Sequence, residues 1–332
     1  MTSRASNAAV VAVAAVSIGI VGASSAQAIT VEAFVPTTIK YPGATSTQAR
    51  GINTPGEVVG TYACTSSCVN PVNGEVSVAG THGFLLQAGA FTRIDVPGAS
   101  VTIPRGIGNQ GIIVGQYTTA GVTHGFTYAD GVWTYPIDVP AAFFDNLGSP
   151  RHTLAVGISP QGDLVGCFHE DGLTMTTMHG WLRRNGEFIK LVTPHGPGDS
   201  TSTDPDTMNN GIAPTGRIVG FYFSSGVSYI ADEAGVLTTF TVEGNLFTLA
   251  WGINARGDVV GSYGTNLADT VGVPVSPRGF IRTGDGDFLG VAVQGASNTQ
   301  VFGINDVGVV VGQYTDGTGT HGFVHRVRRG KS

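Results

Sequence analysis

The sequence predicts an all-β fold, a six-bladed β-propeller of four-stranded blades. Three observations carry the prediction. One phrase recurs six times: Gly-Ile, a short polar turn, Gly, a β-branched pair or near-pair, Gly. It begins at Gly51, Gly106, Gly157, Gly211, Gly252 and Gly303, with a second glycine five residues on and a third nine residues on. Repeated units of this kind stack on one another to bury a core. The copies start 41 to 55 residues apart, which suits a four-stranded unit and is far too long for a coil of a β-solenoid. Glycine accounts for 50 of 332 residues, about twice ordinary usage, and charged residues are 12% against roughly a quarter. That balance favours short strands and tight turns over helices.

Residues 1–28 read as a secretory leader. Arg4 precedes an apolar run from Ala8 to about Val21, and Ala26-Gln27-Ala28 supplies a small-residue cleavage site. The expectation is a single propeller domain over residues 29–332, secreted or periplasmic, with no membrane association once the leader is removed. No later run of apolar residues is long enough to span a bilayer as a helix.

The second repeat shows how one copy is built. Pro104-Arg105-Gly106-Ile107 reads as a first strand and Gly108 to Gly111 as a turn. Ile112 to Tyr117 reads as a second strand, Thr123 to Tyr128 as a third, Asp130-Gly131 as a hairpin turn and Trp133 to Val139 as a fourth. Asn53, Asn254 and Asn305 open the tight turn, where the side chain bonds nearby backbone. Pro160 and Pro214 stand where a type I turn favours proline, and the following glycine takes the left-handed position. Pro55 comes one place late, so the first copy is expected to turn differently. The second strands are apolar at nearly every residue, the mark of burial on both faces, and their internal glycine marks close approach of a neighbouring backbone. First-to-third strand sets occur six times, but the chain ends after a third strand, His321 to His325. A spare fourth-strand pattern, Phe34 to Lys40, precedes the first copy. Residues near 33–40 are therefore expected to complete the repeat begun at Gly303 and close the ring, leaving no exposed sheet edge there.

The chain resembles the bacterial extracellular HAF-repeat family. The resemblance rests on His82-Gly83-Phe84, His124-Gly125-Phe126, His321-Gly322-Phe323, the variant His179-Gly180-Trp181 and the Gly-Ile-Asn phrase, and covers residues 31–325. Repeat 5 carries Arg278-Gly279-Phe280 and repeat 4 Ser228-Tyr229-Ile230 at the triplet position. The resemblance implies an exported repeat protein and brings no reaction with it. The triplet histidines fall one per repeat on third strands, so they do not converge as metal ligands must. A structural bond between strands or blades is expected of them.

Three cysteines bear on compartment and packing. Cys64 and Cys68 lie in one loop and suit a local disulfide in an oxidising compartment, while Cys167 falls in a strand and reads as a buried thiol. The net charge of −6, with basic residues clustered only in the tail Arg326 to Lys331, makes the chain a poor nucleic-acid binder, and no nucleic-acid partner is expected.

Two groups of residues stand outside the repeat. Long insertions place His152, His169 and His195 on one face around repeat 3, with Glu170, Asp171 and Asp199 near them in sequence. That set suits general acid–base chemistry or a divalent metal, either a transition metal or Ca²⁺, with Asp199, Asp204 and Asp206 as a further oxygen-rich group. The residue before each Gly-Ile varies between copies: Arg50, Arg105, Val156, Asn210, Trp251 and Phe302. Read as starting the innermost strand, these ring the channel mouth on the loop-rich face. Aromatic platforms with convergent polar groups suit a carbohydrate, peptide or small aromatic ligand, and two arginines favour an anionic one. The leading expectation is a binding or surface-interaction module with its ligand at the channel mouth. The alternatives are a secreted hydrolase or lyase using the three histidines, and a structural matrix protein. No Gly-x-Ser-x-Gly elbow, His-Glu-x-x-His or phosphate loop is present in the sequence.

Overall fold

The computed structural model describes residues 30–31, 34–143, 151–170, 178–190, 206–242, 247–264 and 276–327. The leader assigned to 1–28 lies outside these residues. The described chain is almost wholly strand, with one short 3-10 turn at Ala141–Phe143. It is an all-β propeller arrangement. Repeats 2 to 5 each form an antiparallel meander of four strands in sequence order. In repeat 2 the strands are Val101–Ile107, Ile113–Thr119, Val122–Ala129 and Val132–Ile137. Repeat 5 gains an outer parallel strand, Thr30–Val31, beside Phe288–Val291. Repeats 1 and 6 share one eight-stranded sheet. In it Thr37–Ile39 pairs antiparallel with the last strand, Gly319–Arg326, and a single parallel bridge joins Thr320 to Ser46.

The first strands set the frame. Each carries a β-bulge at the residue before Gly-Ile, so two residues there oppose one on the second strand. The glycine that follows touches the next repeat. A Cβ at Gly51 would lie 2.9 Å from the Cα of Gly106, and one at Gly106 2.8 Å from the carbonyl oxygen of Val156. At Gly157 it would lie 3.2 Å from the Cα of Gly211, at Gly211 3.2 Å from Gly252, and at Gly252 3.4 Å from Gly303. At Gly303 it would lie 3.3 Å from Gly51, so the contacts return to their start. Any side chain at these positions would force the backbones apart.

The second strands are buried along most of their length, and their glycine has a specific cause. Gly60 lies under the ring of Phe84, where a Cβ would come within 2.9 Å of the ring edge, and Gly312 lies under Phe323 at 2.7 Å. The bulged first strand supplies the other obstacle, a carbonyl from Gln48 or Gln300. The third-strand aromatics above these glycines, Phe84, Phe126, Trp181, Tyr229, Phe280 and Phe323, are all essentially inaccessible. In repeat 4 the register pairs Gly220 with Tyr229 and Tyr222 with Val227. The triplet there is therefore Val227-Ser228-Tyr229, one residue earlier than the sequence reading placed it.

The turns after the first strands are alike in all six copies. In repeat 1, Asn53 donates its N–H to the Glu57 carbonyl and Gly56 donates to the Asn53 carbonyl, as the counterparts do elsewhere. Pro55 does not alter this turn, because neither bond needs the amide proton that proline lacks. Asn53, Asn254 and Asn305 also reach across repeats: each donates from Nδ2 to a carbonyl of the following turn, at Gly108, Asn305 and Asn53.

Another recurrent residue escaped the sequence reading. Thr47, Thr102, Thr153, Thr207, Thr248 and Thr299 each stand four before the first glycine of the phrase and are buried. Five accept a backbone N–H from the segment that leaves the preceding repeat, from Tyr41, Val96, Val139, Val242 and Val293. Thr207 accepts from Gly180.

Three substitutions test this frame. Gly303→Ala should cost about 1–3 kcal/mol through overpacking. Gly317→Ala, with open space around it, should change stability by less than about 0.5 kcal/mol. Thr248→Val should cost about 1–3 kcal/mol by stranding the buried N–H of Val242. Urea denaturation reads all three, and equal stability of the two glycine variants would contradict the close-contact account.

Candidate functional site

The six bulge residues come together, but deeper than the sequence reading placed them. Arg50 is the fifth of seven residues in Ser46–Ile52, not the start of the strand. The group therefore lines the wall inside, immediately before the glycine contacts. Arg50, Phe302 and Trp251 touch in turn, and Trp251 also meets Phe221 of the second strand of repeat 4. The Arg50 guanidinium lies 5.3 Å from the Phe302 ring centroid, Phe302 meets Trp251 edge-on at 5.8 Å, and Trp251 meets Phe221 at 5.4 Å. Arg50 and Arg105 repel one another electrostatically. Burial, and for Arg50 also its neighbour Arg105, pushes both guanidiniums below their ordinary pKa. An arginine stays charged even so.

Residues that follow the internal glycine of the second strand complete the wall. Gln116 Oε1 accepts from Arg105 Nε at 3.1 Å, and Ser262 Oγ accepts from Trp251 Nε1 at 3.0 Å. Gln48 Oε1 accepts from Arg50 at 2.5 Å and from Thr61 Oγ1 at 3.4 Å, while Gln313 Nε2 donates to Gln300 Oε1 at 2.7 Å. Like the bulge residues, the residue after the third glycine differs in nearly every copy, and that variation was the sequence signal available for finding it. The wall has two halves. Repeats 6, 1 and 2 contribute glutamines, Thr61 and both arginines. Repeats 3, 4 and 5 contribute a cluster of Leu154, Val156, Cys167, Met208, Phe221, Leu249 and Trp251. Cys167 is a free thiol, and burial pushes its pKa up to about 12, against a smaller lowering by Arg105.

This wall holds polar groups with nothing to bond. No carboxylate lies within ion-pair distance of Arg50 or Arg105 among the described residues. Arg50 Nε, Asn210 Oδ1 and Gln313 Oε1 are inaccessible and unpartnered. Asn210 is 3% exposed, and its Nδ2 donates to the Ala250 carbonyl at 2.8 Å, which fixes Oδ1 as the free acceptor. An unsatisfied buried acceptor costs about 1–3 kcal/mol.

The histidine cluster is placed differently. His152 and His169 face each other across the first two strands of repeat 3, at 4% and 3% exposure. His152 Nδ1 accepts the N–H of Thr123 at 3.0 Å, so the proton of its neutral ring sits on Nε2. His169 Nε2 lies 3.9 Å from Cys167 Sγ. Glu170 faces the triplet histidine His179 at 3.6 Å. His195, Asp171, Asp199 and Asp204 fall outside the described residues. Asp206 accepts from Ser224 Oγ at 2.9 Å. Among the described residues no three His, Cys, Asp or Glu side chains converge as a metal site.

The triplet histidines pair chiefly with carboxylates, not with backbone. His82 Nδ1 lies 2.7 Å from Asp95 and His124 Nδ1 2.9 Å from Asp138, while His321 Nε2 lies 3.3 Å from Asp316. Each also stacks beside the opposing second-strand aromatic, Tyr62, Tyr117, Phe168 or Tyr314, at 5.1–5.3 Å. His82 adds a backbone contact, to the Val78 carbonyl at 3.0 Å. Cys64 and Cys68 are joined as a disulfide.

Comparison with known proteins concerns the fold. No protein-family model matches the chain. No curated protein matches it. Among solved structures it is similar to a calcium-binding protein, regucalcin, from Agrobacterium tumefaciens, at 13% identity and a TM-score of 0.50, over 90% of this chain and 98% of that one. It is also similar to a putative TolB from Agrobacterium tumefaciens, at 12% identity and a TM-score of 0.50, over 85% and 91%. A virginiamycin B lyase from Staphylococcus aureus matches at 12% identity and a TM-score of 0.45, over 88% and 99%.

Burial, and then the neighbouring His124, hold the His152 imidazole below its ordinary pKa. The unfolded chain then binds more protons than the folded one below about pH 6.5, so stability is full above that value and falls as pH drops through it. His152→Asn keeps an acceptor for Thr123 and should flatten this loss. Thermal melts at neutral and mildly acidic pH check it: a slope unchanged in the variant would contradict the assignment.

Proposed function

We propose that this chain is an exported binding module, secreted or periplasmic, that seats a small anionic ligand inside its channel. The ligand contacts are Arg50, Arg105, Asn210, Trp251 and Phe302. One observation carries the reading: two guanidiniums neighbour each other in the wall with no carboxylate among the described residues within ion-pair distance of either. A protein that holds cations together without a counter-ion gains from binding an anion, and bidentate pairing makes arginine suited to that task. The partner residues are largely held in place already. Arg105 is fixed by Gln116, Arg50 by Gln48 and by the face of Phe302, and Trp251 by Ser262. Such preorganisation reduces the entropy lost on binding.

The frame of this module is a six-bladed ring in which the N-terminal segment supplies the fourth strand of the last blade. The antiparallel pairing of Thr37–Ile39 with Gly319–Arg326 supports this, as do the glycine contacts that pass from repeat 6 back to repeat 1. Thr30–Val31 and Phe34 also lie along the outer strand of repeat 5 and just beyond it, so the same segment ties two repeats.

Two experiments test the reading. Benzoate, sulfate and citrate should each be screened by thermal melting, because a ligand that binds only the folded state raises its melting temperature. At least one should raise it, and Arg50→Gln or Arg105→Gln should remove the rise. No rise with any anion, or a rise intact in both variants, would refute the channel site. Deleting residues 29–42 should lower the melting temperature of the mature protein, and an unchanged value would refute the closed ring.

A further inference from the structure

Where repeat 5 packs on repeat 6, beside the tight turns, the repeat pattern breaks at three residues. In repeats 1 and 3 a long polar side chain, Gln87 or Arg184, stands three residues after the buried third-strand aromatic. Each reaches back to the carboxylate that lies three residues before the second-strand glycine: Gln87 donates to Glu57, and Arg184 to Asp163 at 2.7 Å. Repeat 5 has the shorter Thr283 there, and its carboxylate, Asp258, accepts from Arg256 of the turn at 3.0 Å. Before the turn glycine, repeats 1 to 5 carry Pro55, Gln110, Gln161, Thr215 and Arg256, whereas repeat 6 carries Val307, which is 45% exposed. Val327 follows the last strand where repeats 1 to 5 turn into their fourth strands, and it donates its N–H to the Gly308 carbonyl at 3.0 Å.

Thr283, Val307 and Val327 line a cavity of about 240 Å³. Its apolar wall is wholly aliphatic: Ile281, Leu289, Ile304, Val307 and Val327. Its polar groups come from Arg256, Asp258 and Thr283. The two charges cancel, because Arg256 donates Nε to Asp258 and also donates Nη1 to the Asp306 carbonyl. An ionic head group placed here would lose hydration and find no free counter-charge. Thr283 Oγ1 accepts the N–H of Asp287 at 3.2 Å, which leaves its own hydroxyl hydrogen to donate. An apolar cavity of about 150 Å³ holds one benzene ring, so this one has room for a chain of about six carbons. Moving such a chain out of water is favourable in proportion to the methylenes buried.

We infer that this junction is a second ligand site, separate from the channel, that takes a neutral alkyl chain of about six carbons with an oxygen acceptor at one end, as in a primary alcohol. The chain lies against Ile281, Leu289 and Ile304, and the oxygen accepts from the Thr283 hydroxyl. The site stands apart from the anion reading of the channel and shares no residue with it.

The test is titration of the mature protein with butan-1-ol, hexan-1-ol and hexanoate, read from the NMR methyl signals of Ile281, Leu289 and Ile304. Hexan-1-ol should bind about tenfold more tightly than butan-1-ol, since each buried methylene is worth about a fourfold gain. Hexanoate should bind about tenfold or more weakly than hexan-1-ol, the cost of an ionic head without a counter-charge. Thr283→Arg recreates the arrangement of repeat 3, so it should fill the cavity and weaken hexan-1-ol by about tenfold or more. Thr283→Val should weaken it about fivefold, the worth of one hydrogen bond, and keep the preference for the longer alcohol. The three probes on the unaltered protein decide the matter even where a variant fails to fold. Equal affinity for the two alcohols, tighter binding of hexanoate, no saturable shift at these three methyl-bearing residues, or binding intact in Thr283→Arg would overturn the site. Binding that emerges only after residues 328–332 are deleted would also overturn it, in favour of the chain's own end as the occupant.

Discussion

The rest of the structure depends on the contact between six glycines at the centre. Gly51, Gly106, Gly157, Gly211, Gly252 and Gly303 meet backbone to backbone, each against the next. Six first strands can approach this closely only where no side chain intervenes. The bulge beside each glycine follows from the same demand. It bends the strand locally and frees one residue from the ladder, and that residue is the one whose identity changes from copy to copy. The second-strand glycine then accommodates the displaced carbonyl of the bulged strand and the third-strand ring packed over it. One close approach thus accounts for two of the three glycines in the phrase, and the turn accounts for the third.

Frame and site are separated by this logic. The frame repeats: glycines, buried threonines, turn asparagines, and histidines that pair with carboxylates and stack beside aromatics. The candidate site is made of what does not repeat. Around the channel, charge and amide groups gather on repeats 6, 1 and 2, and apolar side chains gather on repeats 3, 4 and 5. A strictly symmetric wall would present the same group six times and could not orient a small asymmetric ligand. His152 and His169 sit nearer the frame than their position in sequence suggests, since both are buried and His152 accepts a backbone N–H from repeat 2.

Much of this was readable from the sequence because glycine spacing and turn chemistry are local. The strands, the left-handed turn glycines and the buried Cys167 follow from short-range pattern. The six residues before Gly-Ile were identifiable because they broke the pattern. Their depth was not, because a bulge shifts register without leaving a mark in composition, and so Arg50 and its counterparts seemed to begin a strand that they nearly end. The triplet in repeat 4 was misplaced for a related reason: Val227 has no histidine to announce it, and only the pairing of Tyr222 with Val227 sets the frame. The six threonines were visible and overlooked, since threonine in a strand attracts no notice until its partner on another repeat is known. The carboxylate partners of the triplet histidines lie 13, 14, 9 and 5 residues away along the chain, at irregular spacing that no motif would capture.

The account's central claim is that the uncompensated arginines of the channel are a ligand site. The most direct measurement is anomalous diffraction from crystals of the mature protein grown with 3-bromobenzoate. The account predicts a bromine peak inside the channel, in contact with Trp251 or Phe302, with the carboxylate on Arg50 and Arg105. A bromine peak confined to the outer surface, with the channel arginines facing only solvent, would contradict it.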